Sequence, residues 1–157
     1  LLCLQPDSVD RVREKLGLAY TAHCTVDSGD VWANFVVHAV TTPDKLEALV
    51  AATGELLRAQ ATAIDPVHLE RAKNQLTVSR VRTAERTYAT MEQAVEEIFA
   101  SGTVTPMAEA LAMVEAITAQ EVQAVFQQML ACPAALAMTG KGANARTAKL
   151  LATRLAG

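Results

Sequence analysis

Aromatic residues make up only 4% of this 157-residue chain. That scarcity excludes a ligand cage or core built of rings and leaves packing to Ala, Val, Leu and Met, which suits helices lying close on a sheet. There is no Lys/Arg run with interleaved aromatics, and the formal net charge is −3, so no nucleic-acid face is indicated. Cysteine is scarce as well. Cys3, Cys24 and Cys132 are an odd number without CxxC spacing, which gives neither a disulfide framework nor a zinc knuckle. Buried free thiols are the simple expectation; a single Cys3–Cys24 pair stays open, and the compartment with it. No apolar run reaches membrane-span length, and no signal peptide is evident. The chain lacks an initiator Met and starts abruptly at "LLCLQPDS", so it is expected to be a piece of a longer protein.

Motifs for common chemistries are missing too. His23, His38 and His68 are the only histidines, and none stands in an HxxEH frame or its inverse. His68, in "HLERA", has no second histidine at ligand spacing. His23 and His38 fall on different strands of one hairpin and could approach each other, but no carboxylate pattern completes a site. No metal site is therefore expected within the chain. There is no GxSxG, and Cys24 cannot form a dyad with His23, because adjacent strand residues point to opposite faces. "GKGAN" (Gly140 to Asn144) lacks the frame of a phosphate loop and is at most an anion nest at a helix N-terminus.

What is present is a soluble-type composition, 51% apolar and 20% charged, in a chain long enough to bury one core. Ser8 to Leu16 reads as a short helix with Gly17 as its C′ residue. Leu18 to Val26 and Val31 to Val40 both alternate, and "DSGD" (Asp27 to Asp30) between them is turn chemistry, so the pair predicts an antiparallel hairpin. Thr42-Pro43 predicts an N-cap with proline at N1, ahead of Leu46, Leu49, Val50, Thr53 and Leu57 at helical spacing. Asp65-Pro66 repeats that signal before "VHLERAKNQL". A further helix carries Met91, Ala94, Val95, Ile98 and Phe99 on one stripe and stops at Gly102. Thr105-Pro106 opens another, and "TAQE" (Thr118 to Glu121) is a capping box for the next. After Pro133, "AALAMTG" suits a buried strand, and "GANARTAKLLATRL" closes as a helix. The chain is thus expected to be α+β: a single domain over 1–157 with helices layered on an antiparallel or mixed sheet. Three strands are few for so many helices, so further strands are expected upstream, the domain being truncated at its N-terminus.

One stretch carries chemistry. In "VDRVREKLGLAY", Arg13 lies in the last turn of a helix that ends at Gly17, and Tyr20 lies on the strand leaving it. Both side chains can reach one spot at the start of the strand. A guanidinium and a phenol O–H are donors suited to a carbonyl oxygen that becomes negative. Spacing alone leaves a structural reading open: a cation near a helix C-terminus complements the macrodipole by about 0.3–1 kcal/mol, and a strand tyrosine often only packs its ring.

"VREKLGLAY" resembles the Arg-x6-Tyr corner in the C-terminal half-domains of the insulinase, pitrilysin and mitochondrial processing peptidase family of zinc metallopeptidases, the inverzincins. "DPVHLERAKNQL" is similar to that family's "LERAKNQL" helix, "ITAQEVQAVFQQML" to its "VTAEDVQ" helix, and "PAALAMTG" to its closing strand. The order matches from about Val12 to Gly140. The resemblance implies an α+β metallohydrolase half-domain, one of two halves closing around a peptide substrate. The zinc and general base would lie in the N-terminal half, in the same polypeptide or a partner subunit, and none in this chain. Arg13 and Tyr20 would bind the substrate backbone and the oxyanion, making this the substrate-binding half of a zinc endopeptidase that is inactive alone. A non-catalytic structural or assembly homologue is the alternative. Homo-oligomers are a further possible assembly; nucleic-acid and membrane partners are not expected. The chain departs from the family's pattern in two places. "LLCLQPDSVD", with Pro6, replaces the usual Gly-rich stretch and Ser-Arg-Leu, and Leu16 stands where arginine is common; both leave the Arg/Tyr pair intact.

Overall fold

Two nine-residue strands, β1 (Thr21–Gly29) and β2 (Trp32–Val40), pair along their whole length in the computed structural model, which describes residues 17–29, 32–141 and 143–156. The expected helix over Ser8 to Leu16 lies outside these residues. The ladder is antiparallel, running from Thr21↔Val40 through His23↔His38 to Gly29↔Trp32. Asp27, Ser28 and Gly29 therefore belong to the strand instead of forming the expected turn. Extending the ladder to Gly29↔Trp32 satisfies their backbone groups. Leu18 to Tyr20 precede the strand, although the Tyr20 backbone N–H already donates to the Val40 carbonyl at 2.8 Å.

Helices follow: α1 (Leu46–Thr62), α2 (Pro66–Ala84), α3 (Thr87–Ser101), α4 (Met107–Ala116), α5 (Ala119–Leu130) and α6 (Ala145–Ala156). Three of their boundaries follow directly from the residues that stand there. The Asp65 carboxylate accepts from the Val67 N–H at 2.8 Å with Pro66 at the first helical position. Thr118 and Glu121 satisfy each other's backbone N–H groups in a full capping box. Gly102 ends α3 at φ 77°, a left-handed conformation that costs glycine nothing. The start of α1 differs from expectation. Thr42 is not its N-cap; Thr42 to Lys45 form a turn, the Lys45 N–H donating to the Thr42 carbonyl at 3.0 Å, and the helix begins at Leu46. Proline's fixed φ suits the second position of such a turn as well as it suits N1.

The helices and hairpin meet in two packing groups. α1 packs against α5 and α6, while α2 packs against α3 and α4. The buried apolar residues are small or branched: Ala19, Leu49 and Val50, Leu69 and Ala72, Ala110 and Val114, Leu151, with Phe126 the one aromatic. Phe126 meets Phe35 of β2 edge-on, ring centroids 6.4 Å apart, an arrangement favoured by the ring quadrupoles. That contact identifies the helix-facing side of the hairpin as Ala22, Cys24 and Val26 with Phe35, Val37 and Ala39. The opposite side carries His23, His38, Trp32 and Val40, all exposed.

Two expectations fail in the packing. "AALAMTG" forms no strand; among the described residues the sheet is the two-stranded β1–β2 hairpin alone. An extended apolar segment becomes a strand only where a neighbour offers an unpaired ladder edge, and here Ala134 to Thr139 run mostly exposed instead. The α3 stripe forms as a stripe but is not covered. Met91, Val95, Ile98 and Phe99 are 45–81% exposed and α3 contributes no buried residue.

Candidate functional site

The start of β1 is held by bonds from residues distant in sequence. Gly17 adopts φ 58°, as expected for the residue after a helix. Its carbonyl accepts from Lys45 Nζ at 2.9 Å, and the next carbonyl, of Leu18, accepts from the Thr41 hydroxyl. Ala19 is buried against Leu49 of α1, with Leu18, Ala22 and Leu56 around them. The backbone from Gly17 to Tyr20 is thereby fixed on three sides: by a lysine, by a threonine and by apolar packing.

Against this anchored backbone the Tyr20 side chain stands 71% exposed. Its ring is not core packing; the residue before it, Ala19, fills that role. Arg13 lies outside the described residues. Sequence reasoning missed Thr41 and Lys45 as supports of the corner. They are 23 and 28 residues from the carbonyls they bind, and no local pattern announces side-chain bonds across that span.

Elsewhere the polar groups serve the scaffold. Lys73 in "LERAKNQL" is only 8% exposed; its ammonium donates to the Glu115 carbonyl at 2.9 Å and pairs with Glu70 at 3.2 Å. Gln123 and Gln127 of α5 donate to the terminal carbonyls of α1, at Ala61 and Thr62. Glu97 accepts from Gln93 at 2.7 Å and from the Thr105 N–H at 2.8 Å, with Arg80 at 3.7 Å. The Gln93 bond, then the Thr105 bond, hold its carboxyl below the usual range. Burial pushes the Cys24 thiol up to about 11, which leaves it a poor nucleophile. A groove of about 990 Å³ follows α2 past Val67, Glu70, Asn74, Val78, Arg82 and Arg86; it includes no residue of the Tyr20 corner.

A catalytic zinc needs three protein ligands. Among the described residues no group of three or more His, Cys, Asp or Glu could hold a metal ion, so these residues do not fit that centre. No described helix is long and apolar enough to cross a membrane.

Residues 8–76 match a family profile described as "Peptidase M16 inactive domain". No curated protein matches the chain. Among solved structures, a chain of "Complex III2 from Candida albicans, Inz-5 bound" superposes with a TM-score of 0.69 over 76% of this chain at 12% identity. The "Predicted insulinase family protease from Yersinia pestis" superposes with a TM-score of 0.66 over 95% at 17% identity. At such identities the likeness is one of fold. The chain spans 29% of the first and 36% of the second, about a third of each.

Proposed function

We propose that this chain, whose residues 8–76 match the M16 inactive-domain profile and whose fold resembles that of an insulinase-family protease, is a C-terminal half-domain of that peptidase family and the substrate-binding, transition-state-stabilising half of a zinc-dependent endopeptidase that cleaves peptides or unfolded segments. The observation that carries this reading is Tyr20: a phenol 71% exposed on a backbone that Thr41, Lys45 and the Ala19–Leu49 contact hold still. A rigid backbone with an outward donor is what oxyanion stabilisation requires, since reorganisation would cancel the gain. In this role Tyr20 O–H donates to the scissile carbonyl oxygen, and the Arg13 guanidinium holds the substrate backbone and shares the developing negative charge. The zinc and general base belong to the N-terminal half, in the same polypeptide or in a partner subunit.

In the complete enzyme, Arg13→Ala and Tyr20→Phe should each lower kcat far more than they raise KM, because the donors act most strongly on a charge absent from the ground state. Loss of one such donor is expected to cost about 2.7–4 kcal/mol, roughly 100- to 1000-fold in kcat. Tyr20→Phe keeps the ring, so an unchanged kcat would return Tyr20 to a structural role.

A second reading, a non-catalytic structural or assembly homologue, draws on the likeness to a complex III chain and on the uncovered apolar stripe of α3. It is decided by the companion half. An HxxEH with a downstream glutamate there favours the peptidase; its absence from the parent sequence and neighbouring genes favours the assembly protein.

A further inference from the structure

The hairpin does something with two histidines that their sequence spacing does not reveal. His23 and His38 are direct cross-strand partners. Both side chains are exposed on the face turned away from the helices, and their rings stack with centroids 4.8 Å apart and planes 12° from parallel. Directly opposed antiparallel residues have Cα atoms about 4.5–5.5 Å apart, which fixes the origins of both imidazoles on a stiff ladder. Neither strand carries a lysine or arginine, so no cation on the hairpin opposes a second one.

We propose that His23 and His38 form a two-imidazole chelate for a late first-row divalent cation of the nickel, copper or zinc type. Imidazole nitrogen suits these ions, whereas magnesium and calcium prefer oxygen ligands. Each ring supplies one nitrogen lone pair and water fills the remaining positions. Parallel rings do not aim both lone pairs at one point, so the rings turn about their side-chain torsions as the ion enters, which their exposure permits. This inference does not rest on the peptidase reading, and its test is independent of activity.

Ni2+ is the probe, because it does not oxidise the chain's free thiols. Calorimetric titration of the full 157-residue chain at pH 7.5 should give one ion per chain. Paramagnetic Ni2+ should broaden the ring proton resonances of His23 and His38 while sparing those of His68. His23→Gln and His38→Gln should each weaken binding at least ~10-fold, because the second ligand no longer acts at high effective concentration. The double variant should abolish the one-to-one binding, and His68→Gln should leave it unchanged. Binding that survives in the double variant, or that disappears in His68→Gln, overturns the assignment. Two chains per ion in sedimentation velocity also overturns it, since the histidines would then bridge molecules. Were a variant to unfold, broadening in the unmodified chain still decides: His23 and His38 signals untouched at saturating Ni2+ would sink the proposal.

Discussion

Lys73→Met removes an ammonium from the helical layer while keeping most of the aliphatic stem. In the native chain that ammonium, on α2, donates to the Glu115 carbonyl in the last turn of α4 at 2.9 Å, and it tethers one helix to the end of the other. A hydrogen bond from a charged donor contributes about 1.5–3 kcal/mol, and a cation at a helix C-terminus adds about 0.3–1 kcal/mol. Opposing this is the desolvation of a group only 8% exposed, which methionine avoids. Glu70 adds little to the balance, because its side chain is 59% exposed and such pairs are worth ~0–1 kcal/mol. The net expectation is a loss of about 1–2 kcal/mol, read as a lower urea midpoint at unchanged slope. For a chain of this size that is about 2–8 °C in Tm. Glu70→Gln should stay within about 0.5 kcal/mol of the native chain. A Lys73→Met midpoint equal to or above the native one would show that desolvation outweighs the bond and would refute the reasoning.

Glu97 gives a pH prediction. Its folded pKa lies below the ordinary value, chiefly through the Gln93 hydrogen bond, so its stabilisation is complete above the unfolded pKa of about 4.3. It is lost as pH falls through the lower, folded value. Glu97→Gln should therefore lower the urea midpoint at pH 7 and reduce its fall between pH 7 and pH 3; an identical pH dependence would reject the assignment. Among the thiols, Cys24, with its pKa at about 11, should resist alkylation at pH 8 in a Cys3→Ser background while the exposed Cys132 reacts. Equal labelling rates, followed by mass spectrometry, would show that Cys24 is not shielded.

Where structure is decided within a few residues, it was legible in the sequence. Asp65-Pro66, the Thr118–Glu121 box and Gly102 each set a helix end through bonds or dihedrals spanning four residues or fewer. The hairpin was legible from its alternation, because successive strand residues point to opposite faces. Tyr20 stood out as a candidate through a local helix-to-strand pattern together with the family resemblance.

What escaped the sequence depends on partners that arrive from far along the chain. Thr42-Pro43 satisfies the rules for a turn and for a cap equally, and in the structure it opens a turn ahead of α1. "AALAMTG" has strand composition, but a strand is a relation between two backbones, and among the described residues none pairs with it. Amphipathic spacing foretold the α3 stripe without saying whether anything would lie against it. The clamps from Thr41 and Lys45 on the Leu18 and Gly17 carbonyls, and the register that sets His23 against His38, exist only once segments 15 to 28 residues apart are brought together. Local propensity settles the elements because their bonds close over one turn or one ladder step. Exposure, anchoring and side-chain pairing are settled by tertiary structure, because each requires a second surface whose position no short window contains.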